Sequence, residues 1–100
     1  MAETTIKETR SGARGRYVLA AADGDSELTY RLEGDRMIID HTYTPPAARG
    51  QGVAGRLVER AVADARARAW RIVPACPYVR SKIDRTPSMQ DVLADHGDLQ

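Results

Sequence analysis

Hydrophobic positions change period half-way along the chain. In the first half they alternate: Leu28, Tyr30 and Leu32 interleave with Glu27, Thr29 and Arg31 from Glu27 to Glu33, the pattern of a strand with one buried face. Arg16 to Ala22, with Tyr17, Val18 and Leu19, reads as the strand before it, and the β-branched run Met37 to Thr44 as the strand after it. The segment Ala22-Asp23-Gly24-Asp25 contains an Asp-Gly hairpin signal, and Gly34-Asp35 makes a second turn. Short turns between three such strands predict an antiparallel meander. Thr5, Ile6 and Lys7 suggest a short opening strand.

Beyond Pro45-Pro46 and the glycines at 50 and 52 the period lengthens. Val53, Leu57, Val58, Ala61, Val62 and Ala65 fall on one helical face, while Arg56, Glu59, Arg60, Asp64 and Arg66 take the other. Trp70 to Ala75 reads as a short strand with Trp70 as a core anchor. Pro77 can open a helix, because its missing N–H costs nothing in the first turn. Val79 and Ile83 share one side of that segment. Pro87 to His96 reads as a final short helix, with Ser88 as N-cap and Gly97 as its stop. The expected fold class is α+β: a compact, mostly antiparallel sheet with a strand–helix–strand crossover and helices packed on it. Residues 1–100 make one domain on this reading.

Composition narrows the function. A formal net charge of +1 gives no bulk attraction to nucleic acid or to an anionic membrane surface. No apolar stretch approaches the roughly 20 residues of a membrane span, and Met1 to Arg10 is too polar for a signal segment. Cys76 is the single cysteine, so an internal disulfide is excluded. With only His41 and His96 to join it, no metal centre is expected. A cytoplasmic setting follows by default. Arginine supplies 13 of the 15 basic residues, which favours planar, bidentate contacts to anions.

The loop from Pro46 to Gly55 connects a strand to an amphipathic helix. The first turn of a helix leaves backbone N–H groups unpaired and concentrates partial positive charge there. Gly50 and Gly52 lack Cβ atoms, so a phosphate can approach the backbone, and Arg49 adds a full charge beside it. The pattern therefore reads as a diphosphate-binding turn, with a plain flexible connection as the alternative. No Gly-Lys-Ser/Thr follows, as a P-loop would need. A preceding β-meander also fits the dinucleotide fingerprint poorly.

Arg49-Gly50-Gln51-Gly52-Val53-Ala54 resembles the acetyl-CoA motif of the GNAT superfamily, Arg/Gln-x-x-Gly-x-Gly/Ala. His41-Thr42, Pro45-Pro46 and Pro74-Ala75-Cys76-Pro77-Tyr78 extend the likeness to a small GNAT-like family with a short N-acetyltransferase domain. The resemblance implies a GNAT sheet without the two N-terminal helices of larger members, and acetyl-CoA held between the fourth and fifth strands. Its diphosphate would meet the amides of Gln51, Gly52, Val53, Ala54 and Gly55, and its pantetheine arm the backbone of His41, Thr42 and Tyr43. Arg49 and Arg56 are within sequence reach of the diphosphate, and Arg80, Lys82 and Arg85 of the 3′-phosphate.

Acyl transfer to an amine needs a deprotonated amine, a polarised carbonyl and a proton for the leaving thiolate. Cys76 stands where the fifth strand ends and a helix begins, and the local positive field there favours thiolate character. It is a candidate nucleophile that carries the acetyl group transiently, or else a packed core thiol. His41 is the candidate base, for Cys76 or for the acceptor, and Tyr78 the candidate proton donor to the departing CoA thiolate. The expected activity is acetyl transfer from acetyl-CoA, with CoA as product, to a primary amine on a small molecule or protein. The alternative is a CoA-binding module without turnover, because so short a chain has little left to build an acceptor pocket. Nucleic-acid binding through the arginines ranks last. An exposed edge of the meander would suit pairing into a homodimer.

Overall fold

The computed structural model describes residues 5–21, 24–46, 49–50 and 52–94. Ala22 and Asp23 of the expected first turn, Gln51 of the glycine loop, and His96 and Gly97 lie outside the described residues. Four strands run antiparallel in chain order: β1 (Ile6–Ser11), β2 (Arg14–Leu19), β3 (Ser26–Glu33) and β4 (Arg36–Tyr43). The helix α1 (Val53–Arg68) crosses over to β5 (Arg71–Pro74), which pairs parallel to β4 and completes the sheet in the order β1-β2-β3-β4-β5. Then follow α2 (Pro77–Asp84) and a 3₁₀ helix, Pro87–Val92. The α+β expectation and the crossover are both realised.

Alternation along the strands decides which face is covered. Tyr17, Leu28, Tyr30, Met37, Ile39 and Ile72 are fully buried and face α1, whose Leu57, Val58, Ala61 and Ala65 are equally buried. Val79 and Ile83 bring α2 into the same cluster. The intervening strand residues, among them Arg14, Arg16, Thr29 and His41, face the other way, where none of the described helices packs.

Three differences from the sequence reading have physical reasons. β1 extends to Ser11 rather than stopping at Lys7. It is an edge strand whose residues are exposed or half-buried throughout, so it has no apolar alternation to announce it. Its hairpin to β2 turns on Gly12, whose φ of 62° suits the first loop position of a two-residue turn. The last element is 3₁₀ rather than α and ends at Val92. Thr86, not Ser88, stands at its cap position, and its hydroxyl is turned back to the Lys82 carbonyl at 2.7 Å. Leu93 is then extended and bridges Ile72, with the Ala94 amide donating to the Ile72 carbonyl.

β1 is clamped to the far end of α1 by a polar seam. Arg68 makes two bonds to the Glu8 carboxylate, at 2.8 and 2.9 Å, and the Tyr30 hydroxyl donates to the same group at 2.5 Å. Beside them the Tyr17 hydroxyl donates to Asp64, which also accepts from Arg60. Trp70 is half-buried rather than central, stacked near Tyr30 with the guanidinium groups of Arg10 and Arg68 over its ring. The Arg68 bonds hold the Glu8 carboxyl at about 2, against its ordinary 4.5, despite the opposing effect of burial. Burial, and then the bond to Glu8, push the Tyr30 phenol up from 10.0 to about 12.

Two predictions follow from these contacts. Glu8 has its folded-state pKa depressed, so its contribution is complete above about pH 4.5 and is lost as pH falls towards 2. Tyr30 is raised, so its contribution is complete below pH 10 and is lost as pH climbs through about 12. Glu8→Gln should cost about 2 kcal/mol at neutral pH and flatten the acid limb of a urea-unfolding pH series. An unchanged acid limb would place the acid sensitivity elsewhere. Separately, α1 ends on Ala69 in the left-handed conformation, φ 58°, where its amide returns to the Ala65 and Arg66 carbonyls. Ala69→Gly should therefore stabilise the fold by about 0.5–1 kcal/mol, read as a rise in thermal midpoint of a few degrees.

Candidate functional site

The site begins where β4 and β5 part. Pairing between them ends at Ile39 and Pro74, and the Ile39 carbonyl then accepts both the Ala75 and the Cys76 amides at 3.0 Å. Pro74 has no N–H to carry the ladder on, and Pro77 sets the first turn of α2, so the chain leaves the sheet. Residues 40–43 of β4 continue with no described strand on their β5 side.

β4 also carries a bulge. Tyr30 lies opposite Ile39 but Thr29 lies opposite His41, which leaves Asp40 as an extra residue whose carboxylate accepts from the Thr29 hydroxyl at 2.7 Å. One extra residue inverts the alternation that follows. Thr42 thus turns to the covered face, and its hydroxyl lies 3.6 Å from the Cys76 sulfur. His41 and Tyr43 turn to the open face, where the His41 Nε2 lies 3.4 Å from Glu27. Pairing His41 with Cys76 as base and nucleophile is therefore corrected, because the bulge sends the imidazole to the opposite side of the sheet.

A cleft of about 510 Å³ opens at this fork. Thr42, Tyr43 and Thr44 form one wall, and Arg49, Gly50, Gly52, Val53 and Ala54 form the other. Tyr78, at the start of α2 and 37% exposed, reaches in between. Gly52 is the N-cap of α1 with φ 76°, in the left-handed region that favours glycine, and Gly50 has φ 85°. Gly52 has no side chain with which to cap this helix, and the first turn holds no acidic residue. Instead Arg49 lies on the loop, its Nε donating to the Thr44 carbonyl at 3.0 Å. Gly55 is buried in the first turn, and a Cβ there would stand 3.5 Å from the Lys82 ammonium and 3.7 Å from the Tyr78 hydroxyl. Helix N-termini ordinarily gather acceptors and negative charge; this one has Arg49 and Lys82 nearby, with Lys82 3.9 Å from Glu59 of the next turn.

Of the residues singled out from sequence, Thr42, Tyr43, Arg49, Gly50, Gly52, Val53, Ala54 and Tyr78 meet at the cleft. Gly55 lies beneath it and Cys76 behind Thr42. Cys76 is 8% exposed, with its amide bonded to Ile39 and its carbonyl accepting from the Arg80 amide. The Thr42 hydroxyl and the Asp40 bulge went unread in the sequence as site features. The signal available was Asp40 itself, a carboxylate interrupting an otherwise apolar strand after Met37, Ile38 and Ile39. Among the described residues no group of His, Cys, Asp and Glu could hold a metal ion, and no helix is long and apolar enough to cross a membrane.

A family model described as GCN5-related N-acetyl-transferase matches residues 16–92. The chain belongs to that family. The matched span runs from β2 to the end of the 3₁₀ helix and includes both walls of the cleft. The solution NMR structure of a GCN5-like protein from Staphylococcus aureus aligns with a TM-score of 0.68 at 23% identity, over 96% of this chain and 95% of the other. That likeness is one of fold.

Proposed function

We propose that this protein moves an acetyl group from acetyl-CoA to a primary amine of a small molecule or protein. One observation carries the reading: the first turn of α1, entered from Gly52 with no capping side chain at that position and no acidic residue within it, opens into the fork beside Arg49. A diphosphate there would satisfy the amides of the Gly52–Gly55 turn and offset the positive charge. The free edge of β4 from Asp40 to Tyr43 suits an extended, amide-bearing arm. Bound acetyl-CoA supplies the thioester whose carbonyl carbon is attacked, with CoA thiolate as the leaving group.

The chain's own groups then divide the work. The Tyr78 hydroxyl, in the cleft wall, is the proton donor to the departing sulfur. Cys76 is the acetyl carrier: its thiol proton passes by way of Tyr78 to the CoA sulfur as the sulfur–acetyl bond forms and the CoA thioester bond breaks, and the amine nitrogen then attacks acetyl-Cys76, breaking that bond, with a proton returned to restore the thiol. The Thr42 hydroxyl at 3.6 Å holds that sulfur in place. His41, on the open face beside Glu27, is the base for an acceptor that reaches the acetyl group from that side through the gap where β4 and β5 part. A reducing cytoplasmic setting suits a free, working thiol.

Cofactor binding is tested by thermal unfolding. Acetyl-CoA at about 100 times its dissociation constant adds roughly 2.7 kcal/mol, which should raise the midpoint by several degrees, and free CoA should do the same. No rise at saturating cofactor would overturn the reading. Cys76→Ala should keep that thermal response while turnover of an amine acceptor falls at least about a hundredfold. Undiminished turnover in the variant would mean direct transfer from thioester to amine.

A further inference from the structure

The open face of the sheet holds a second concavity, of about 260 Å³, near the β1–β2 hairpin and away from the cleft. Its polar lining comes from alternate residues of three strands: Thr9 and Ser11 of β1, Arg14 and Arg16 of β2, and Thr29 of β3. Arg10 also borders it but lies over Trp70, Thr29 already donates to Asp40 and Arg16 is held by Glu27, which leaves Arg14 and the hydroxyls of Thr9 and Ser11 as the open donors. The charges there are unevenly compensated. Arg16 is paired with Glu27 at 2.8 Å, and Arg31 with Glu33 at 3.2 Å. Arg14 has no carboxylate within ion-pair distance among the described residues, although the strand register sets it directly opposite Arg31. Like charges facing each other across a ladder are unfavourable unless an anion lies between them.

The register also ties this concavity to the fork. His41 lies opposite Thr29, Thr29 opposite Arg16, and Arg16 opposite Thr9, so the four form one row across the open face. At about 4.8 Å per strand, Arg16 stands about 10 Å from His41 along that row. An acceptor whose amine sits beside His41 would lay its other end in the concavity.

We propose that this concavity, centred on Arg14, is an oxyanion subsite that binds a carboxylate or phosphate on the far end of the acceptor, about 12 Å from the amine. The substrate class is then an anionic amine, which deepens and rests on the transferase reading above. Arg14 offers the unpaired guanidinium, and the hydroxyls of Thr9 and Ser11 donate beside it. Arg14 is exposed and touches nothing in the core, so its replacement leaves the fold intact.

The test has a binding arm and a kinetic arm. In the first, ¹⁵N-labelled protein with CoA bound is titrated with inorganic phosphate and, separately, with octanoate, each against chloride at matched ionic strength. Saturable amide shifts at Thr9, Ser11, Arg14, Arg16 and Thr29 are expected in the wild type and lost in Arg14→Ala. Comparing the two probes tells phosphate from carboxylate preference. In the second, 8-aminooctanoate is compared with octylamine as acceptor. The wild type should favour 8-aminooctanoate, and Arg14→Ala should raise KM for it about tenfold while leaving octylamine unchanged. Shifts reproduced by chloride, shifts that survive in Arg14→Ala, or equal KM effects on both amines would each overturn the subsite. The thermal response to acetyl-CoA reports separately on the transferase reading. Its loss with Arg14-dependent shifts intact overturns that reading, and its retention without such shifts overturns the subsite alone.

Discussion

Everything at the functional end of this molecule depends on one carbonyl. Ile39 accepts the amides of Ala75 and Cys76 together, and with those two bonds the parallel ladder closes. Pro74 cannot donate another rung, and Pro77 is already set for a helix. The sheet therefore forks where α1 presents its N-terminus, giving a cleft with a strand edge on one side and a helix start on the other. The same two bonds fix Cys76 at the root of the fork, buried against Thr42. A longer β5 would close the cleft by pairing residues 40–43, and a shorter one would leave α2 without its anchor.

Much of this was legible in the residues. The change from a two-residue to a helical period marked the crossover, the paired glycines marked the loop, and the prolines marked the end of β5 and the start of α2. What the pattern concealed was the count along β4. Met37 and Ile39 face the core, and simple alternation would continue that series to His41, beside Cys76. Asp40 breaks it by bulging, held by the Thr29 hydroxyl, and every later side chain changes sides. A bulge is a two-strand property, set by what lies opposite, so a single strand's sequence does not display it. The length of β1 was hidden for a related reason. Its pairing is through backbone, and its side chains are exposed or half-buried on both faces, so no hydrophobic signal accompanies the hydrogen bonds.

At the opposite end, the Glu8–Arg68–Tyr30 seam answers a different difficulty. The described helices cover only one face of the sheet, so β1 has little apolar surface with which to hold on. A carboxylate with three hydrogen bonds to partners on β3 and α1 supplies attachment without needing a second layer. The depressed Glu8 carboxyl and the raised Tyr30 phenol are two signs of that same attachment. Because the seam lies on the covered side, the other face is left to pairs between neighbouring strand residues, such as Arg16 with Glu27 and Thr29 with Asp40.

That division between the two faces changes the meaning of the charge balance. A formal net charge of +1 suggests a protein indifferent to anions, and in bulk it is. Yet the carboxylates are drawn into pairs: Glu8 and Asp64 in the seam, Glu27 against Arg16, Glu33 against Arg31 and Asp91 against Arg66. Glu59 likewise lies 3.9 Å from Lys82, and the positive charges without a carboxylate partner among the described residues include Arg49 beside the first turn of α1 and Arg14 on the open face. The first lies at the fork and the second on the open face of the same sheet. Near-neutrality overall and local cationic sites are then two consequences of one arrangement, in which the acids are taken up largely by pairs within the fold.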